Sequence, residues 1–360
     1  MPEWLESPYN DHTQYGISPG WGYGTILEST VPALKAGSVL WGFFPISTFP
    51  VDLLLQQSAE LETHFIEVSP HRAKVMPLYQ RYISESGTVD EANPAAPWKA
   101  MLKPVWEAGY LYNRFNFASE PDYPRIHPGI GNSWTESDAN LKEALVICLG
   151  AGSKTSRSFE HQLATNRALG SGPVAVLKVS SSLSGPSPFG SRQPPFSHKK
   201  TTYTDLQSPA LSDWLFGQPI SKFVIIDFAG RTGVCESLAT QLRTNPAGIP
   251  VEVFFVGTEA KMYTTNDLTE RAAMIARLDA VRCNTSKVRQ GAIDKIGEAK
   301  YFKDLDHAFD NVLNDGVGDR VLGVSLEVRK GLQGDDGIER AWETFCGGKV
   351  NGDEGMAFWL

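Results

Sequence analysis

The sequence predicts an α/β protein in which a mainly β part is followed by a parallel sheet covered by helices. Residues 1–140 are rich in glycine, proline and aromatic residues and do not alternate strands with long helices. From Leu141 onward, short apolar runs alternate with helical segments, which is typical of a parallel sheet with right-handed crossovers. Because 360 residues exceed the usual size of one hydrophobic core, we expect domains over 1–140 and 141–320, with 321–360 packing back on them.

The strands of the parallel sheet are predicted from short, continuously apolar runs, as expected for strands that are covered on both faces. These runs are Leu145–Leu149, Val174–Val179, Phe223–Phe228 and Val251–Val256. Thr201–Asp205 is a candidate for a further short strand. The segment 180–200 between these strands is rich in serine, proline and glycine, so we expect a mobile surface loop there. Near the C-terminus, we expect a strand at Arg320–Val328 and a helix at Gly337–Phe345.

The first part of the chain is predicted to contain mainly strands and turns. Strands are expected on both sides of the Ala36–Gly37 turn, at Val51–Leu55 and at His64–Val68. Ser69 is a good cap for a helix that begins at the following proline, and this helix would place Tyr79 and Tyr82 on one face. A second helical stretch is predicted at Trp98–Phe117.

The charge and cysteine content restrict the class of partner. A net charge of −8 and the lack of a Lys/Arg cluster argue against nucleic acid or an anionic membrane, so we expect a small-molecule ligand. The N-terminal residues lack the pattern of a secretory signal, and no apolar run approaches membrane-spanning length, which predicts a cytoplasmic protein. The 4 cysteines show no C-x-x-C spacing, so we expect reduced thiols and no metal site.

The strongest motif is the stretch ALVICLGAGSKTSRSFEHQLATN at residues 144–166, which reads as a buried strand, a glycine turn and the start of a helix. Gly150 and Gly152 permit a tight turn, and Ser153, Lys154 and Thr155 follow where the helix would begin. Exposed amides and the positive end of a helix attract an anion, so this turn is a candidate phosphate site. A dinucleotide fingerprint would carry a third glycine at Thr155, which leaves a plain strand-to-helix turn as the alternative.

The end of the second predicted strand indicates which dinucleotide would bind. An NAD-specific protein would place an acidic residue there for the ribose hydroxyls, whereas this chain has Lys178, Ser180 and Ser181. A cation and hydroxyls suit a 2′-phosphate, so we expect NADP(H) as the cofactor. The alternative for Lys178 is a solvated charge at the sheet edge.

Further candidate cofactor contacts follow the next two strands. Gly230 and Gly257 would let the backbone lie close to a ribose and a nicotinamide, and Asp227 ends the strand before Gly230. Each has a structural alternative, because glycine after a strand is commonly a turn residue and Asp227 can cap its own turn.

One segment resembles the GroES-like catalytic domain of the medium-chain dehydrogenases/reductases, namely VPALKAGSVLWGFFPIST. Together with SPHRAKVMPLYQRY, the SKT turn after the first sheet strand and GIERAWETFCGGKVNGDEGMAFWL, it looks closest to a divergent branch of unknown function that occurs in bacteria and in fungal secondary-metabolite clusters. This resemblance extends over most of the chain. This resemblance implies a GroES-like barrel followed by a Rossmann-type domain, and it implies no defined reaction.

The chain departs from that family at three places. Thr155 replaces the third glycine of the turn, and the zinc ligands of alcohol dehydrogenases have no counterpart here. The first barrel strands that such domains place before the equivalent of Tyr15–Tyr23 are largely missing, so either the barrel is incomplete or the sequence begins late.

Reduction of a carbonyl without zinc needs a side chain that donates a proton to the developing oxyanion. Tyr79 and His71 are the candidates in the first domain, although a tyrosine at this spacing can equally serve in packing. His161, on the helix after the turn, is expected at the surface.

Three functions are compatible with these features. The leading hypothesis is an NADP(H)-dependent reductase of the quinone-oxidoreductase-like type, acting on a small carbonyl or enone such as a polyketide intermediate. The second is a redox-neutral cyclase, dehydratase, decarboxylase or carbon–carbon lyase on a scaffold that has lost its cofactor. The third is a non-catalytic accessory protein of a biosynthetic enzyme. A homodimer through the sheet edge at Arg320–Val328 is a further expectation.

Overall fold

The fold consists of strands and helices that alternate only in the second half of the chain. The computed structural model describes residues 18–87, 89–131, 133–259, 263–316 and 318–360. The strands of these residues are β1 (Pro19–Thr25), β2 (Val39–Pro45), β3 (Leu55–Gln57), β4 (His64–Glu67), β5 (Arg81–Ser84), β6 (Gly129–Ile130), β7 (Ala144–Leu149), β8 (Ala175–Ser180), β9 (Ser197–Thr202), β10 (Lys222–Asp227), β11 (Val251–Phe255), β12 (Val281–Cys283), β13 (Arg320–Val321), β14 (Val324–Lys330) and β15 (Glu354–Trp359). The α-helices are α1 (Ala95–Leu111), α2 (Glu136–Ala139), α3 (Lys154–Thr165), α4 (Pro209–Phe216), α5 (Val234–Arg243), α6 (Thr265–Arg277), α7 (Thr285–Ile296), α8 (Glu298–Asn314) and α9 (Ile338–Cys346).

The chain divides into two units whose boundaries differ from the expected ones. The first unit contains the described residues up to Pro104 together with Gly297–Asp306 and Leu326–Leu360. The second unit contains Val105–Ile296 and His307–Ser325. The division at Pro104 falls inside α1 rather than near residue 140. None of the helices among the described ranges is long and apolar enough to cross a membrane.

The first unit contains a five-stranded antiparallel sheet in the order β1-β2-β5-β4-β3. Gly37 has a φ of +85° in the turn before β2, which confirms the predicted turn because glycine adopts this conformation without steric cost. A small core on this sheet is formed by Leu34, Leu40, Phe65 and Tyr82. The predicted strand at Val51–Leu55 is displaced to β3. The residues before Tyr15, where we expect the first barrel strands to be largely missing, lie outside the described residues.

The prediction of a helix after Ser69 is wrong. The segment forms two 3₁₀ turns, Pro70–Arg72 and Pro77–Gln80, and then enters β5. The reason is tertiary: Arg72 donates 2.9 Å hydrogen bonds to the Tyr82 hydroxyl and to the Tyr79 carbonyl, and its guanidinium lies 3.5 Å from the buried Glu67 carboxylate. Tyr79 and Tyr82 therefore do not share a helix face. The second predicted helix is confirmed as α1, which continues as a π-helical turn at Tyr112–Asn116.

The second unit contains a mostly parallel seven-stranded sheet in the order β6-β12-β11-β10-β7-β8-β9. From β9 to β12, the six parallel strands follow the order 3-2-1-4-5-6, and β6 adds an antiparallel edge. This order is that of a Rossmann-like α/β fold. The four predicted strands are confirmed, and the candidate strand at Thr201–Asp205 is found slightly earlier, as β9. The strand order reverses between β7 and β10, and their carboxyl ends open the crevice in which such sheets bind ligands.

The serine- and proline-rich segment packs onto the protein, although the sequence predicted a mobile surface loop. Its residues Phe189 and Phe196 are buried, and their rings contact each other. Arg157 of α3 donates to the Pro186 carbonyl oxygen at 2.9 Å and to the Leu322 carbonyl oxygen at 3.3 Å. One buried guanidinium therefore joins this segment to the turn that precedes β14.

The predicted strand Arg320–Val328 is a hairpin of β13 and β14 that turns at Leu322 and Gly323. These strands belong to a three-stranded sheet with β15, whereas the edges of the seven-stranded sheet are β6 and β9. Arg320–Val328 is therefore not an edge strand of the nucleotide sheet, and a homodimer stays a prediction. The predicted C-terminal helix is confirmed as α9.

Candidate functional site

The glycine turn between β7 and α3 has the expected conformation at the crevice. Gly150 has a φ of +81°, and a Cβ there would lie 2.7 Å from the Ala229 Cβ, so the turn and the loop after β10 pack too closely for a side chain. Ser153 caps α3 by accepting a hydrogen bond from the Ser156 amide at 3.2 Å. Lys154 and Thr155 are the first two residues of α3 and are partly buried.

The turn offers fewer free amides than a phosphate cradle would. The amides of Gly150 and Ala151 both donate to the Val179 carbonyl oxygen, at 3.0 and 2.9 Å. Within the described ranges, the amides of Gly152 and Thr155 have no hydrogen-bond partner. A Cβ on Gly152 would meet no atom within 4 Å, so open space lies beside it. An anion at this turn would therefore bind at the first turn of α3.

Lys178 is not placed to bind a 2′-phosphate, and it is not a solvated edge charge. It is 4% exposed, and its ammonium lies 2.7 Å from the Glu160 carboxylate, which is 1% exposed. The ring of Phe189 covers the same ammonium at 4.1 Å. Glu160 also accepts a hydrogen bond from the Ser156 hydroxyl at 3.2 Å. Lys178 thus belongs to a buried ion pair between β8 and α3.

Ser180 and Ser181 stand at the carboxyl end of β8, as predicted, and a cation from another loop joins them. The Ser180 hydroxyl hydrogen-bonds the Ser182 carbonyl oxygen, and the Ser181 hydroxyl accepts from the Arg231 guanidinium at 3.0 Å. Arg231 is exposed, and its guanidinium lies 4.3 Å from the centre of the Tyr203 ring. A planar, exposed cation is therefore held beside the crevice by a hydroxyl and an aromatic ring.

The loops after β10 and β11 are held together by three of the predicted cofactor contacts, which are Asp227, Gly230 and Gly257. The Asp227 carboxylate accepts from the amides of Ala229 and Gly230 at 3.1 and 2.7 Å, so it caps its own turn; burial raises its pKa. Gly230 has a φ of +62°, and a Cβ there would lie 2.7 Å from the Thr258 Cα. A Cβ on Gly257 would overlap the Phe228 carbonyl oxygen. These glycines allow the loops after β10 and β11 to pack together.

The predicted proton donors lie in the first unit, on the two 3₁₀ turns. His71 is exposed. Tyr79 is partly buried, and its ring packs 4.5 Å from that of Phe43 and 5.9 Å from that of Trp21; burial raises its pKa. The structure shows that the Tyr79 ring packs against other aromatic rings. A catalytic role for His71 and Tyr79 stays a prediction.

A comparison with protein families gives one match. The sequence model of a family described as "Protein of unknown function (DUF2855)" matches residues 1–351. The chain belongs to the DUF2855 family. A search of curated proteins gave no match. The description of DUF2855 names no activity.

Sequence reasoning about this DUF2855 chain missed Arg231 and Tyr203 as site residues. Arg231 follows Gly230 in a loop, and Tyr203 follows β9, whose residues SHKKTT carry no apolar pattern. The one sequence feature that Arg231 and Tyr203 share is that each follows the carboxyl end of a strand, where ligands bind in such sheets. Among the described residues, no group of at least 3 His, Cys, Asp or Glu could hold a metal ion.

His161 of the DUF2855 chain is buried on α3, whereas the sequence predicted a surface position. Burial lowers its pKa from 6.5 to about 4, and Arg192 adds to this while Asp315 opposes it. Because the pKa falls on folding, the associated stability is present above pH 6.5 and is lost as the pH falls towards 4. We expect urea unfolding to show a loss of roughly 2 kcal/mol over this range that the His161→Asn variant lacks. Identical pH profiles for the two proteins would contradict this assignment.

Proposed function

We propose that this DUF2855 protein is an NADP(H)-dependent reductase of the quinone-oxidoreductase-like type, acting on a small carbonyl or enone. The observation that supports it is the coincidence of three features: the 3-2-1-4-5-6 sheet, a glycine turn after its first strand, and a capped helix start at the point of strand reversal. We further propose that the five-stranded sheet of the first unit belongs to a GroES-like substrate domain, and that the family is a divergent relative of medium-chain reductases.

The residues at the crevice fit a dinucleotide in two respects. The amides of Gly152 and Thr155 at the start of α3 would hold the pyrophosphate, because the helix end is positive and open space lies at Gly152. Ser180 and Ser181 stand where an NAD-specific protein would carry a carboxylate, which supports NADP(H). The bound cofactor would supply the hydride. In this proposal Tyr79 or His71 donates the proton to the substrate oxygen.

One observation favours the redox-neutral alternative. The amides of Gly150 and Ala151 both donate to the Val179 carbonyl oxygen, so neither is available to a phosphate. A cyclase, dehydratase, decarboxylase or lyase that needs no dinucleotide would be compatible with this arrangement. Measuring whether the protein binds NADPH distinguishes the two functions.

We expect titration with NADPH, followed by fluorescence and thermal unfolding, to give saturable binding. At a hundredfold excess over the Kd, the folded state gains about 2.7 kcal/mol. No shift with either NADPH or NADH would contradict the reductase, and a shift with a carbonyl metabolite alone would support the redox-neutral function.

The Gly152→Ala variant tests the turn separately from the fold. Its Cβ would lie in open space, so we expect the free energy of unfolding to change by less than about 0.5 kcal/mol. The same methyl group would occupy the place proposed for the pyrophosphate, so NADPH affinity should fall about tenfold or more, which corresponds to about 1.4 kcal/mol. Unchanged NADPH affinity in this variant would exclude the turn as the phosphate site.

A further inference from the structure

Arg231 is an exposed cation whose orientation is determined by two contacts at the crevice. Its guanidinium donates to the Ser181 hydroxyl at 3.0 Å, and its Cζ lies over the Tyr203 ring, 4.3 Å from the ring centre. Tyr203 is partly buried, and burial raises its pKa while Arg231 partly offsets this. A serine after β8, a tyrosine after β9 and an arginine after β10 therefore converge at one end of the sheet.

Arginine held in this way is suited to a phosphate monoester. A planar guanidinium donates in parallel to two oxygens of one anion, and stacking on an aromatic ring leaves its donors at the edge. The serine hydroxyl supplies a further hydrogen bond beside it. Such an arrangement suits a terminal phosphate.

Two lysines near this edge, Lys178 and Lys200, already have partners. Lys178 is buried against Glu160 at 2.7 Å. Lys200 donates to the Gly185 carbonyl oxygen at 3.3 Å, and burial together with Lys178 lowers its pKa. Arg231, in contrast, is exposed and donates directly to a serine that follows β8.

We infer that Arg231, oriented by Tyr203 and Ser181, binds the 2′-phosphate of NADP(H), so that the loop after β10 determines the preference over NAD(H). This inference rests on the proposed function. It replaces the expected role of Lys178 on β8 with a residue from the opposite side of the strand reversal.

The test compares the wild-type protein with Arg231→Gln and with Lys142→Gln. Lys142 is exposed and precedes β7, at the amino end of the sheet, so the control removes the same charge from the opposite edge. Binding of NADPH, NADH and 2′,5′-ADP is measured by fluorescence and calorimetry, and thermal unfolding confirms that the variants are folded. We expect Arg231→Gln to bind NADPH and 2′,5′-ADP about 10- to 100-fold more weakly, with NADH affinity changed less than about twofold.

A second pair of variants tests the orientation of the arginine. Tyr203→Phe keeps the ring that the guanidinium stacks on, so the NADPH/NADH preference should persist, whereas Tyr203→Leu should reduce it several-fold. An unchanged preference in Arg231→Gln, with NADPH still bound, overturns this inference and leaves the reductase proposal intact. A wild-type protein that binds neither dinucleotide contradicts the proposed function and this inference together.

Discussion

Replacing Lys178 by methionine is expected to lower the free energy of unfolding by about 3–5 kcal/mol. The reason is that Glu160, whose carboxylate is 1% exposed, would lose its ion-pair partner in the interior. The Ser156 hydroxyl alone, at 3.2 Å, does not compensate for this charge. Urea unfolding followed by circular dichroism measures the change.

Two further variants separate the lost ion pair from other effects of the substitution. Replacing Lys178 and Glu160 together by methionine should recover most of the stability, because no unpaired charge remains. Lys142→Met removes an exposed lysine and should change stability by less than about 0.5 kcal/mol. A Lys178→Met protein of normal stability that selectively fails to bind NADPH would restore the original assignment of Lys178 as a phosphate ligand.

The Gly257→Ala variant is expected to lose about 3 kcal/mol of stability, at the upper end of the range for overpacked sites. The added Cβ would overlap the Phe228 carbonyl oxygen, so backbone must move. That movement disturbs the hydrogen bonds by which the amides of Val256 and Gly257 donate to the Asp227 carbonyl oxygen, at 3.0 and 3.1 Å.

Gly172→Ala is the control for this substitution, since a Cβ at Gly172 meets no atom within 4 Å. Thermal and urea unfolding of both variants should show a large loss for Gly257→Ala and almost none for Gly172→Ala. Equal stability of the two variants would show that the loops after β10 and β11 do not depend on a close approach at Gly257.

The parallel sheet could be predicted because its strands carry a local pattern. Leu145–Leu149 and Phe223–Phe228 are continuously apolar, and both were found within one or two residues of their observed limits. β9 was harder to place, because an edge strand with the residues SHKKTT carries no such pattern. The segment at residues 69–82 was misread as a helix because the contacts of Arg72 with Tyr82 and Glu67 are tertiary and override local preference.

The turn between β7 and α3 could be predicted from the sequence, whereas the partners of the charged residues around it could not. The glycine turn was recognised because Gly150 and Gly152 follow a buried strand and precede a helix cap. The role of Lys178 was wrong because Glu160, its partner, lies on a different element and no sequence spacing links them. The role of Arg231 could not be predicted for the same reason, because its contacts with Ser181 and Tyr203 join residues that are distant in the sequence.

The position of the division at Pro104 has a consequence for dissecting the protein by truncation. Residues 105–140 belong with the second unit, where Phe117 contacts Phe159 and Phe254. A gene fragment that starts at residue 141 would lack Phe117 and so expose the rings of Phe159 and Phe254, and its product should aggregate. Because Gly297–Asp306 and Leu326–Leu360 return to the first unit, no single cut of the coding sequence yields either half intact.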